Sequence, residues 1–258
     1  MPRFAANLSM MFNDVPFLDR FDAAARAGFE AVEYLFPYDF PAEAIAERLQ
    51  RNNLTQALFN LPPGDWAKGE RGLAALPERT ADFDAALKTA LPYAKATGVK
   101  KIHMMAGLAD RKNPMALASY KNSVQKAAEF FAPHGISILL EPINARGMPG
   151  YFLNDFPFTA ALIEELGLAN VKLQFDIFHR QIIHGDVTMA MRAMFPLIGH
   201  VQVASVPSRH EPMSEELNDA CLFAELDRLG YEGFIGCEYI PAGNTVDGLG
   251  WFAEYRPR

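Results

Sequence analysis

Four polar side chains in the second half of the chain have types and positions that suit metal chemistry. Each closes an apolar, strand-like run, at 135–140, 171–175, 199–201 and 233–237, and the four residues are Glu141, Asp176, Gln202 and Glu238. Packing does not explain a glutamate at the end of a buried strand, because an isolated buried charge is very costly. Three carboxylates and an amide oxygen are hard ligands, which favour Mg²⁺ or Mn²⁺ over zinc or copper. We therefore predict that the four groups bind one divalent metal ion.

The electrostatic cost of bringing these carboxylates together supports this interpretation. Two like charges about 4 Å apart repel by roughly 4 kcal/mol at an effective dielectric constant of about 20. Three such pairs would cost on the order of 12 kcal/mol, which is comparable with the whole stability of a domain. No Lys or Arg lies beside the carboxylates in these strands, and Lys172 is at the far end of its own. Either a divalent cation is present, or a carboxyl group is protonated, or the groups lie apart as unrelated helix caps.

Strand-like runs alternate with helical patterns along the whole chain. Besides the four runs above, strands are predicted at 3–8, 29–35, 54–60 and 99–105. The helix from Pro114 has Asn113 as its N-cap, and further helices are predicted over 82–97, 156–166, 180–194 and 215–229. Glycines that would end helices in the left-handed conformation stand before six strands: Gly28, Gly98, Gly135, Gly167, Gly199 and Gly230.

This alternation predicts a parallel sheet, and eight units in 258 residues match a single (β/α)8 TIM barrel domain spanning 1–258. A doubly wound open sheet is the alternative. Its dinucleotide-binding form would have a Gly-x-Gly-x-x-Gly turn after the first strand, and residues 7–11 contain no glycine. In a barrel the carboxyl ends of the strands open onto the active-site face, so the four candidate ligands are expected to converge there.

Four further residues are candidates for substrate binding. His179 follows Asp176 by three residues and could hydrogen-bond a substrate oxygen or a ligand carboxylate. The long irregular connection 61–79 is typical of an active-site lid, in which Trp66 either covers the pocket or packs under its own loop. Arg71 and Arg209 are candidates for holding an anionic substrate, because a guanidinium pairs well with a carboxylate.

Composition limits the class of partner. The net charge of −7 argues against a nucleic-acid or anionic-membrane surface, which needs clustered Lys and Arg, and no run approaches the roughly 20 apolar residues of a membrane span. The two cysteines, Cys221 and Cys237, form no Cys-x-x-Cys pair. They favour a reduced, cytoplasmic protein with two buried thiols over a disulfide scaffold or a thiolate zinc site. Composition does not distinguish a monomer from a homo-oligomer.

Several short motifs resemble one known family. They are Asn-Leu-Ser-Met at 7–10, the loop segments 64–66 and 69–72, Leu-Glu-Pro-Ile-Asn at 140–144, Asp-Ile-Phe-His at 176–179 and Arg-His-Glu-Pro at 209–212. With these motifs the chain resembles, over its full length, the hydroxypyruvate isomerase family of the xylose-isomerase-like barrel superfamily, on its bacterial 2-oxo-tetronate isomerase branch. The resemblance implies a divalent metal held by Glu141, Asp176, Gln202 and Glu238. It also implies that Glu141 and Glu238 move the substrate proton.

The resemblance implies an isomerase without a redox cofactor. It would move a carbonyl by one carbon in a small anionic hydroxy-keto acid, either 2-oxo-tetronate or hydroxypyruvate, through a cis-enediolate. A ketose 3-epimerase is one alternative, although related epimerases carry His at the position of Gln202. A zinc-dependent nuclease of the same barrel type is disfavoured by the six scattered histidines and the acidic charge. A non-catalytic sugar-acid-binding barrel is the last alternative, and it would not need the second glutamate.

Overall fold

Eight parallel strands close into a barrel in which each strand pairs with the next in sequence and the eighth pairs with the first. The computed structural model describes residues 1–256. The strands are β1 (Arg3–Asn7), β2 (Ala31–Glu33), β3 (Thr55–Asn60), β4 (Lys101–His103), β5 (Ser137–Leu140), β6 (Val171–Asp176), β7 (Ile198–Val203) and β8 (Phe234–Cys237). The predicted (β/α)8 TIM barrel is confirmed, and closure of the sheet excludes the doubly wound alternative.

Helices surround the barrel and connect its strands. They are α1 (Phe17–Arg26), α2 (Ala42–Arg51), α3 (Thr80–Thr97), α4 (Pro114–Phe131), α5 (Phe156–Leu166), α6 (Ile177–Ile183), α7 (Val187–Met194) and α8 (Asp219–Leu229). Asn113 caps α4 as predicted, because its side-chain oxygen accepts a hydrogen bond from the Met115 amide at 2.9 Å. The helix predicted over 180–194 is instead the pair α6 and α7, since Gly185 and Asp186 both have positive φ and interrupt it.

The main apolar core lies between the strands and the helices, and it includes fully buried aromatic residues such as Phe21, Phe131 and Phe156. A second, small cluster is formed by Ala5, Ala31 and Ala57. Many other buried side chains are polar. A buried polar group is costly unless it is hydrogen-bonded, and several of these residues bond one another in a network around Glu33.

The glycine pattern is right at five positions and wrong at one. Gly28, Gly98, Gly135, Gly167 and Gly230 all have the predicted positive φ after a helix or helical turn. Gly199 lies inside β7 instead, since a short 3-10 helix at Phe195–Leu197 leads from α7 directly into the strand. A Cβ on Gly199 would lie 2.6 Å from Lys172 Cβ. Close approach of β6, rather than a helix cap, therefore explains this glycine.

The expectation of two buried thiols is wrong for one cysteine. Cys237 is buried in the core, whereas Cys221 is exposed. The buried face of α8 carries Leu222, Phe223 and Leu226, which leaves Cys221 on the solvent side. No helix within residues 1–256 has the length and apolar character needed to cross a bilayer. The cytoplasmic location and a homo-oligomeric state stay predictions.

Candidate active site

Polar side chains stand at the carboxyl ends of all eight strands, on the face where barrels of this type bind ligands. They are, in chain order, Asn7, Glu33, Asn60, His103, Glu141, Asp176, Gln202 and Glu238, and all are buried. The strands of a parallel barrel all end on the same side, so a position at the carboxyl end of a strand places each of the eight residues in the same region. The sequence prediction named the four from the last four strands.

A cavity of about 270 Å³ opens at this end of the barrel. Its lining includes the two predicted catalytic glutamates, Glu141 and Glu238, and the four predicted substrate-binding residues: Trp66, Arg71, His179 and Arg209. Asp176 and Gln202 are not part of this lining. They are buried beside it as register partners on β6 and β7.

Glu141, Asp176 and His179 form a cluster that could hold a metal ion. One potential ligand atom from each lies within 4.8 Å of the other two. His179 Nε2 is 3.8 Å from Glu141 Oε1 and 3.6 Å from Asp176 Oδ2. Within residues 1–256, neither carboxylate oxygen has a hydrogen-bond partner, although both are buried. A buried carboxylate oxygen without a partner is costly, so both oxygens suit a cation.

The other oxygen of Asp176 has a structural role. Asp176 Oδ1 accepts hydrogen bonds from the Phe178 amide at 2.7 Å and the His179 amide at 3.4 Å, which makes Asp176 the N-cap of α6. This cap fixes the carboxylate, so that Oδ2 points toward Glu141 and His179.

The positive charge beside the carboxylates comes from the loop after β7. Arg209 Nη2 lies 2.8 Å from Glu238 Oε2 and 3.7 Å from Asp176 Oδ2, and the guanidinium stacks over the ring of Phe178. Arg209 has a φ of 60°, and its backbone oxygen accepts a hydrogen bond from the Ile240 amide. Arg209 therefore neutralises part of the carboxylate charge. Its role toward an anionic substrate stays a prediction.

The protonation of the carboxylates reflects their burial. Burial, followed by the charges of Glu238 and Asp176, raises the pKa of Glu141 well above its usual range. Burial raises the pKa of Glu238 to about 8, although Arg209 acts in the opposite direction. The pKa of Asp176 is also raised, mainly by burial. Without a cation the cluster therefore retains protons near neutral pH, and a bound cation would displace them.

Gln202 is held by a buried network centred on Glu33. Its Nε2 donates to Glu33 Oε1 at 2.8 Å, and its Oε1 accepts from Gln174 Nε2 at 2.6 Å. Glu33 also accepts from Asn7 Nδ2 at 3.0 Å, and His200 Nε2 lies 2.7 Å from its other oxygen. Because a carboxylate can only accept hydrogen bonds, the atom of the Gln202 side-chain amide that faces Glu33 must be the nitrogen. The Gln202 oxygen retains a second lone pair, and its role as a metal ligand stays a prediction.

Trp66 and Arg71, from the connection 61–79, line the cavity as a contacting pair. The guanidinium carbon of Arg71 lies 3.8 Å from the Trp66 ring centroid, and Arg71 Nη1 donates to the Trp66 carbonyl at 3.0 Å. Glu70 ties the loop together by accepting from the Asp65 amide and from Arg79. Within residues 1–256, no carboxylate lies within 4.0 Å of the Arg71 guanidinium, which leaves its charge free for a ligand.

Sequence reasoning did not assign roles to Glu33, Asn60, His103 or Asn144. Glu33, Asn60 and His103 end strands, so the rule applied to the last four strands would have found them. His103 Nδ1 lies 3.5 Å from Glu141 Oε2, on the cavity wall. Asn144 belongs to the segment 140–144, and its bond to His179 spans 35 positions, which no local signal reveals.

Known proteins show the same fold and similar sequences. The family model for the xylose isomerase-like TIM barrel matches residues 21–255. The chain is 54% identical to a 2-oxo-tetronate isomerase of Cupriavidus necator, covering all of both chains. It is 40% identical to the hydroxypyruvate isomerase of Escherichia coli, covering 99% of this chain and all of that protein. A crystal structure described as AP endonuclease, family 2, from Brucella melitensis superposes with a TM-score of 0.97 at 50% identity, covering both chains completely.

The chain therefore belongs to the xylose isomerase-like TIM-barrel family. Within it, the curated relatives place the chain in the hydroxypyruvate isomerase family, as the sequence motifs suggested, and it is an isomerase.

Proposed function

We propose that this chain is a divalent-metal-dependent isomerase that moves the carbonyl of a small hydroxy-keto acid by one carbon. Conversion of 2-oxo-tetronate to 3-oxo-tetronate is the favoured reaction, and hydroxypyruvate to tartronate semialdehyde is the second candidate. The name of the Cupriavidus necator relative, at 54% identity, favours the first, and the name of the Escherichia coli relative, at 40% identity, supports the second. One observation carries the chemistry: two buried glutamates with raised pKa values, Glu141 and Glu238, line the same small cavity.

The donor set fits a hard cation. Glu141 Oε1 and Asp176 Oδ2 are buried and have no hydrogen-bond partner within residues 1–256, so they would be the first ligands. Glu238 and the Gln202 oxygen would complete an all-oxygen set, which suits Mg²⁺ or Mn²⁺. When bound, the ion would polarise the substrate carbonyl and so acidify the neighbouring C–H bond.

The two glutamates carry the proton transfer. One, as a carboxylate, removes the proton from C3 of 2-oxo-tetronate, and the electron pair of that bond forms the cis-enediolate. The other, as a carboxylic acid, delivers a proton to C2, while the hydrogen on the C3 oxygen passes to the C2 oxygen. The carbonyl thereby moves from C2 to C3 with no net gain or loss of electrons. Burial supports this division of roles, because it raises the pKa of both glutamates in the metal-free protein and so opposes the lowering that a bound cation would cause.

Substrate recognition follows from the size and charge of the cavity. A volume of about 270 Å³ lies below the roughly 300–1,000 Å³ of drug-sized ligand pockets, which favours a substrate of a few carbons. The Arg71 guanidinium, which has no carboxylate partner within residues 1–256, would bind the substrate carboxylate, and Trp66 beside it would help to exclude water. This arrangement favours acids over neutral sugars.

The proposal is tested by incubating the protein with each acid in deuterated buffer containing Mn²⁺. We expect a carbonyl shift and deuterium incorporation with at least one acid, and loss of both on chelation. Absence of turnover and exchange with both acids would refute the proposal. Inversion at one carbon without a carbonyl shift would identify a 3-epimerase. Binding without turnover that survives Glu238→Gln would identify a non-catalytic barrel.

A nuclease is the competing assignment, because the Brucella melitensis structure is described as AP endonuclease, family 2. The net charge of −7 and the small cavity disfavour it, since a duplex backbone is bound by clustered Lys and Arg. Metal-dependent cleavage of an abasic duplex would support the nuclease, and intact DNA under conditions of keto-acid turnover would support the isomerase.

A further inference from the structure

The side-chain amide of Asn144 has a defined orientation. Its Oδ1 accepts a hydrogen bond from the Gly147 amide at 2.8 Å. A backbone N–H can only donate, so this contact identifies the oxygen end of the amide. The Nδ2 group must therefore point in the other direction, toward His179. Both Asn144 and His179 are buried, so water does not compete for these contacts.

This orientation determines which ring nitrogen of His179 carries a proton. Asn144 Nδ2 lies 2.7 Å from His179 Nδ1, and the Asn144 backbone amide donates to the same nitrogen at 3.3 Å. Two donors facing one ring nitrogen require that nitrogen to be an acceptor. In the neutral ring, Nδ1 therefore has no proton and Nε2 carries it.

The Nε2–H group of His179 points to the carboxylates without forming a hydrogen bond. Its nearest carboxylate oxygens within residues 1–256 are Asp176 Oδ2 at 3.6 Å and Glu141 Oε1 at 3.8 Å, both beyond hydrogen-bond distance. His179 also lines the cavity. The group is thus a donor available to a third atom. A protonated ring nitrogen cannot coordinate a metal, which requires its lone pair.

We propose that Asn144 is a positioning residue that holds His179 in the Nε2–H tautomer, so that His179 donates a hydrogen bond to a substrate oxygen and is not a metal ligand. The part concerning the substrate rests on the proposed isomerase function. The part concerning the tautomer does not, because it follows from the contacts among Gly147, Asn144 and His179 alone. A donor aimed at an oxygen that gains charge stabilises the transition state more than the ground state.

Nitrogen NMR of the metal-free protein tests the tautomer directly. Long-range ¹H–¹⁵N correlation of ¹⁵N-histidine-labelled protein distinguishes protonated from unprotonated ring nitrogens, and the cross-peaks lost in His179→Gln identify this residue among the six histidines. We expect His179 to show an unprotonated Nδ1 and a protonated Nε2. A proton on Nδ1 would overturn the proposal. The measurement needs no turnover, so its failure is distinct from failure of the isomerase assignment.

Asn144→Asp tests the positioning role. An aspartate can accept from Gly147 but presents a second acceptor to His179 Nδ1, which should move the ring proton from Nε2 to Nδ1. Asn122→Asp, on the exposed face of α4, is the control with the same change of charge. We expect Asn144→Asp to lower kcat about 100-fold, as removal of one oxyanion donor does, with a much smaller change in KM.

A double variant separates positioning from general damage. If Asn144 acts through His179, Asn144→Asp should add little to the loss already caused by His179→Gln. Additive losses, or an Asn144→Asp protein that keeps the Nε2–H tautomer while losing activity, would overturn the positioning role. If Asn144→Asp does not fold, the spectrum of the unsubstituted protein still decides the tautomer.

Discussion

In the metal-free protein, Glu238→Gln should be increasingly stabilising as the pH rises. The free energy of unfolding of the variant, minus that of the unsubstituted protein, should increase with pH. Burial raises the pKa of Glu238 from 4.5 to about 8 in the folded chain, with Arg209 opposing this effect. Between these two values the folded state binds more protons at this site than the unfolded state. The free energy of unfolding therefore falls as the pH rises through this window and levels off above pH 8.

The size of this effect follows from the shift. One group whose pKa is raised on folding changes the free energy of unfolding by about 1.4 kcal/mol per pH unit within the window. The raised pKa of Glu238 alone should thus lower the free energy of unfolding by about 3 kcal/mol between pH 5 and pH 7. Gln cannot ionise, and its side-chain oxygen can still accept from Arg209. Glu238 also contributes to the raised pKa of Glu141, so its removal should flatten the profile further.

Urea unfolding at pH 5, 6, 7 and 8 in buffer with a chelator measures this effect. The difference in free energy of unfolding, Glu238→Gln minus the unsubstituted protein, should rise by about 3 kcal/mol from pH 5 to pH 7. Glu164→Gln, on the exposed surface of α5, removes the same charge and should give a flat difference. A flat difference for Glu238→Gln would refute the account of a buried, raised-pKa glutamate.

Three further predictions concern the metal, the substrate and the barrel. Calorimetry should show Mg²⁺ or Mn²⁺ binding that releases protons and strengthens from pH 6 to pH 8, and Asp176→Asn should weaken it by at least roughly 100-fold; equal affinity in the variant would contradict the proposed ligand set. Arg71→Met should raise KM for the acid substrate about 10- to 100-fold with little change in kcat, whereas an unchanged KM in steady-state kinetics would exclude Arg71 from carboxylate binding. Gly199→Ala should lower the free energy of unfolding by about 1–3 kcal/mol because its Cβ would clash with Lys172, whereas Gly243→Ala, in open space, should be nearly neutral in urea unfolding.

Strand–helix alternation was sufficient to predict the barrel, because each element carries its own periodicity and the number of units fixes the architecture. The strand-end rule was sufficient to bring Glu141 and Glu238 to one cavity. The same rule applies to Glu33 and to His103, whose position in the fourth strand was compatible with facing either the pocket or the helices and which lines the cavity.

Other features depend on tertiary packing and were not predictable locally. The position of Arg209 beside Glu238 requires a loop residue in a left-handed conformation, which arginine seldom adopts. A glycine before a strand has the same sequence signature whether it caps a helix, as Gly98 does, or admits a neighbouring strand, as Gly199 does. The contact between Asn144 and His179 joins two separate βα units.

The central claim is that Glu141 and Glu238 act on one substrate from the same cavity, one as base and the other as acid. Deuterium exchange with the two single Gln variants, started separately from 2-oxo-tetronate and from 3-oxo-tetronate, tests it most directly. Neither variant should complete the isomerisation. With a given acid, only the variant that keeps the base for that acid should exchange the substrate C–H with solvent, and it should form no product. With the other acid, the other variant should be the one that exchanges. Full isomerisation by either variant, or identical exchange by both from both acids, would contradict the account.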